Sequence, residues 1–80
     1  MIKTNTFIEQ TLIGVVETQI RENRPEITRK TFERLQRNGC TSQAAKEKIA
    51  FVALRHIYEV MNNGATFSST QFEDDLNNLK

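Results

Sequence analysis

Eighty residues form one domain (residues 1–80), near the lower end of the size at which a single apolar core holds a fold. With 38% hydrophobic and 26% charged residues the composition is that of an ordinary globular chain, too apolar for a disordered one and too polar for a bilayer-embedded one. The net charge of +1 gives no global pull toward nucleic acid, although residues 21 to 55 hold nine cations against four anions and the rest of the chain two against six.

The first helix is expected over residues 6–22. Thr6 followed three residues later by Glu9 has the form of a capping box, and Ile8, Leu12, Val15, Val16 and Ile20 recur at helical spacing to make one buried stripe. Gly14 interrupts that stripe, either to let a second helix approach closely or as a tolerated defect costing about 1 kcal/mol relative to alanine.

The second helix is expected over 25–38, opening with Pro25 at its first position and stopping at Asn38-Gly39. Ile27, Phe32 and Leu35, with Thr28 and Thr31 in the gaps, give it a narrow apolar face. Glu26 with Lys30 and Glu33 with Arg37 are favourable pairs four apart on the solvated side.

The third helix, 42–62, follows a Thr41 cap and ends at Asn62-Asn63-Gly64. It carries two apolar stripes, Ala45, Ile49, Val52, Ala53, Ile57 and Val60 on one side and Phe51, Leu54, Tyr58 and Met61 nearly opposite. A helix apolar on two sides needs two partners. Either it is the central helix, with the first two helices on one side and the last on the other, or Phe51, Leu54 and Tyr58 pack on a second copy of the chain.

The fourth helix, 69–79, opens on Ser68 as cap with Gln71 three residues on, and Phe67 and Phe72 are spaced as a hydrophobic staple across them. Phe72, Leu76 and Leu79 supply its inner face, and Glu73, Asp74 and Asp75 suit the start of a helix dipole. These acids lie against the basic middle of the chain or leave it free for an anionic partner. No strand-like alternation is present, so the fold class is all-α, a compact four-helix domain with a long central third helix.

Little here points to catalysis. His56 falls within the inner stripe of the third helix, where Glu59 or Glu17 is within reach as a partner; one histidine without a paired ligand motif reads as a structural group rather than a metal ligand or a proton carrier. Cys40, the only cysteine, sits at the start of the third helix, more than four turns from that histidine, so no base is held against it. The three glycines are isolated and form no phosphate loop. Catalytic residues, metal ligands and cofactors are accordingly expected to be none. One unpaired thiol, no signal-like start and no apolar run of membrane-spanning length fit a cytoplasmic protein with no membrane partner and no small-molecule substrate.

Residues 31–49 have the outline of a helix-turn-helix, with Leu35, Gly39 in the turn and Ala45 beyond it, inside the basic region. Arg29, Lys30, Arg34, Arg37, Lys46 and Lys48 are the cations a nucleic-acid module would use. Against this, Lys48 stands where that motif wants an apolar residue, and a helix buried on two sides has little left to insert into a groove. The favoured expectation is a non-enzymatic protein-interaction or regulatory module, an adaptor or inhibitor, meeting a partner or a second copy through Phe51, Leu54, Arg55 and Tyr58.

The series Val16-Glu17-x-Gln19, Pro25, Arg34-Leu35, Gly39, Ala45, Ile49-Ala50, Ile57-Tyr58, Phe67, Phe72, Leu76 and Leu79 resembles a small bacterial all-helical domain family of unknown function, over most of the chain. Many members of that family carry histidines before the Val-Glu pair and a His-Glu-x-x-His run opening the long helix. Ile13 and Gln43-Ala44-Ala45-Lys46-Glu47 stand there in this chain, so a metal site implied by the resemblance lacks its histidines here.

Overall fold

Four helices follow one another in a computed structural model that describes the backbone of residues 6–80 and side-chain surroundings from residue 8 onward: α1 (Thr6–Glu22), α2 (Glu26–Arg37), α3 (Ser42–Asn63) and α4 (Ser69–Asn77). The domain is all-α, with α3 as its long central helix. The proposed Thr6 cap of α1 lies outside the described side chains.

The helix ends are fixed by backbone hydrogen bonds and short polar side chains. At the end of α2, Gly39 N–H donates to Gln36 O and Cys40 N–H to Leu35 O, the paired bonds that close a helix around a left-handed residue, and Gly39 has φ +103°. Asn23 closes α1 by the same pattern, at φ 56°, with Arg24 N–H reaching Gln19 O. The following Arg24–Pro25 peptide is cis, and Pro25 caps α2 rather than forming its first residue as expected. Thr41 Oγ1 accepts from Ala44 N–H at 3.1 Å and Ser68 Oγ from Gln71 N–H at 3.2 Å. Phe67 and Phe72 meet across the Ser68 cap with centroids 5.8 Å apart, the staple the spacing implies. The first turn of α4 holds no acid, contrary to expectation, because the helix starts at Ser69 and the acids begin four residues later.

Val16, Leu35, Ala45, Ile49, Ala50, Val52, Phe72 and Leu76 form the core, one contribution from each helix at least. Two threonines of α2 are buried with them. Thr28 Oγ1 donates to Gln19 Oε1 at 2.9 Å and so ties α2 to α1, whereas Thr31 Oγ1 is buried without a hydrogen-bond partner among the described residues. Both α1 and α4 pack on the α2–α3 pair, and among the described residues their backbones do not come together. Gly14 admits no close helix: a Cβ there meets nothing within 4 Å.

Three expectations about burial are corrected. Ile8 and Val15 of α1 are about half exposed, while Ile13 packs against the core in their place. Ile57 and Val60, placed on the inner stripe of α3, are exposed because no helix among the described residues covers that end. The fourth helix does not cover Phe51, Leu54, Tyr58 and Met61; it lies on α2 and on the His56 side of α3.

Candidate functional site

The face of α3 that carries Phe51, Leu54, Tyr58 and Met61 is not covered by another helix among the described residues. Its residues follow three- and four-residue spacing, so they project as one ridge about 15 Å long. Phe51 is 60% exposed, Tyr58 54% and Met61 79%, while Leu54 is half-buried. Buried Ala45, Ile49 and Val52 occupy the opposite side of the same helix, which fixes the rotation of α3 and hence the direction of the ridge. Arg55 stands exposed on one edge. The four partner-binding candidates are therefore brought together on one surface.

Along the other edge of the ridge, α1 and α3 enclose a small groove of about 110 Å³, lined by Glu9, Leu12, Glu47, Ala50, Phe51 and Leu54. Ligand pockets for cofactors run to roughly 300–1,000 Å³, so this groove fits a single side chain rather than a small molecule. Sequence reasoning missed its α1 wall. The signal was present in Leu12, but the antiparallel placement that sets Leu12 beside Ala50 and Leu54 is not a local property.

Lys30, Arg34 and Arg37 line one concavity beside Asn77, and Arg34 and Lys48 line a second beside the end of the chain, but most of the basic residues are engaged in contacts within the protein. Arg34 donates through Nη1 to Leu79 O and through Nη2 to Leu76 O, both at 2.7 Å, and so caps the carbonyl end of α4. Lys46 pairs with Glu17 of α1 at 2.9 Å, and Lys48 Nζ reaches Lys80 O at 2.8 Å and Cys40 Sγ at 3.4 Å. Lys30 pairs with Glu26 as expected, but Glu33 takes Arg29 in place of Arg37. Among the described residues Arg37 alone of these six cations has no such partner.

His56 is nearly buried between α3 and α4. Its Nε2 meets Asp75 Oδ2 at 2.6 Å, and the rings of Phe67 and Phe72 approach it edge-on at 6.0 and 5.5 Å. Asp75, not Glu59 or Glu17, is its carboxylate, because α4 folds back onto that face of α3. The hydrogen bond from His56 holds the Asp75 carboxyl below its usual range, with smaller help from Gln71 Nε2, which donates to Oδ1 at 3.1 Å. The arrangement joins two helices. Among the described residues no three histidine, cysteine or acidic side chains converge as a metal cluster, and no helix is long and apolar enough to cross a membrane.

No family model, curated protein or solved structure matches this chain.

Proposed function

We propose that this protein is a non-enzymatic interaction module that binds another protein through the uncovered face of α3. The observation that carries this reading is the exposure of Phe51, Tyr58 and Met61 in line on a helix whose other side is core. Large apolar side chains in a contiguous exposed row are unusual on a surface that only meets water. Aromatic side chains flanked by an arginine are the composition of interface centres, and Phe51, Tyr58 and Arg55 supply it. The nucleic-acid reading gains less support, because Arg34, Lys46 and Lys48 already hold one element to another.

The test is site-specific photo-crosslinking of the full chain in the cells that express it, with a benzophenone side chain at Tyr58 and, as control, at Glu33 on the far helix. Discrete protein adducts from position 58 that disappear in a folded Leu54→Asp variant are the expected result. Equal yields from both positions, or none from position 58, would overturn the reading.

A further inference from the structure

The groove beside the ridge carries charge as well as shape. Its floor and walls are Leu12, Ala50, Phe51 and Leu54, and the only charged groups lining it are Glu9 and Glu47. Among the described residues neither carboxylate has a cationic partner: Lys46, one position from Glu47, is occupied by Glu17. Arg55, on the edge of the ridge, is near enough to Asp75 to help hold its carboxylate ionised, and it does not line the groove. An apolar slot of side-chain size, with two acids at its rim that have no cationic partner among the described residues, therefore runs along the helical ridge.

We infer that this groove takes an amphipathic helix with lysine or arginine on either side of one large apolar anchor. The inference rests on the interaction reading given above and specifies its partner. A helix fits because the ridge of Phe51, Leu54, Tyr58 and Met61 presents the three- and four-residue rows into which a second helix packs, with an anchor residue entering beside Leu12. Basic flanks fit because they pair with Glu9 and Glu47. A second copy of α3 carries Glu47 in the same three- and four-residue row as Phe51 and Leu54, so self-docking brings a further carboxylate to the acidic rim.

Two fluorescein-labelled synthetic peptides of about four helical turns test this, one with leucines on a single face and lysines elsewhere, the other with glutamates in place of the lysines. Anisotropy titrations use the full chain at about 150 mM salt, where long-range attraction is screened. The lysine peptide is expected to bind about tenfold more tightly than the glutamate peptide, the size of two partly exposed ion pairs and their reversal. Glu9→Lys with Glu47→Lys is expected to invert that order with the helical content unchanged, and Phe51→Gln to weaken both peptides. Equal affinities that Phe51→Gln abolishes would overturn the basic partner while leaving the interaction face standing. Binding of neither peptide, or binding indifferent to Phe51→Gln, would overturn the groove as a helix site. A light-scattering mass of two chains that falls to one in Phe51→Gln would assign the face to a second copy and overturn it too.

Discussion

The two halves of α3 are both rich in apolar residues and end up in opposite environments. From Ala45 to Val52 the helix is wedged among α1, α2 and α4, and Ala45, Ile49, Ala50 and Val52 lose almost all their exposure. From Ile57 to Asn63 every residue is exposed, although Ile57, Tyr58, Val60 and Met61 are as apolar as their counterparts. The cause is the reach of the neighbours. Thr28 and Arg34 fasten α2 to its partners beside the first half, α1 meets α3 from the Glu17–Lys46 pair to the Glu9 and Leu12 groove, and α4 covers the junction through His56. Helical periodicity sets which residues share a side; only the packing of distant segments decides which side is covered.

One residue type at two places makes the sharpest comparison. Ile49→Ala removes a fully buried side chain and is expected to cost about 2–5 kcal/mol in denaturant unfolding, whereas Ile57→Ala, 41% exposed, costs less than about 1 kcal/mol. Similar losses at both positions would mean that the second half is covered in solution. Arg34→Ala tests what holds α4 at the junction. Losing two charge-assisted bonds to the Leu76 and Leu79 carbonyls is expected to cost about 2 kcal/mol and to speed amide exchange in α4 before the rest of the domain. Arg34→Lys restores only part of it, since an ammonium does not span both carbonyls as the planar fork does.

A smaller effect of opposite sign is expected within the buried half. Thr31→Val replaces a buried hydroxyl that has no partner with a methyl of similar size, and thermal unfolding should show a gain of about 1 kcal/mol. Thr28→Val, which strands Gln19 Oε1, should lose stability in the same assay. The His56–Asp75 contact adds a dependence on acid. Because the folded Asp75 carboxyl lies below its ordinary value of 3.8, its contribution is present above that pH and is lost as the pH falls through the lowered value. Amide exchange in α4 should therefore rise below about pH 4 in the wild type, and Asp75→Asn should flatten that rise.

The element boundaries were legible because they are local. Gly39, Thr41, Gly64 and Ser68 act on backbone groups within a few residues, and helices α2, α3 and α4 start or stop where those residues stand. Most of the core was legible for a related reason, since Val16, Leu35, Ile49, Val52, Phe72 and Leu76 lie at the centres of their stripes. What escaped was non-local. Arg34 reads as a free cation until α4 brings two carbonyls to it across more than 40 residues, and Glu59 reads as the partner of His56 until Asp75 arrives from 19 residues away. Ile57 and Val60 share the periodicity of Ile49 and Val52, and nothing in their spacing tells that the helices of the described residues leave them exposed. For the candidate site, the ridge of Phe51, Leu54 and Tyr58 was readable as a second apolar stripe. Its groove and acidic rim were not, because Glu9 and Leu12 come from another helix.

Phe51 stands outside the core, 60% exposed, and the denaturant midpoint of Phe51→Gln at dilute protein tests this directly. Stability within about 1 kcal/mol of the wild type, as for a surface substitution, is the predicted result. A loss of about 3–5 kcal/mol, the cost of removing a buried phenylalanine, would contradict it.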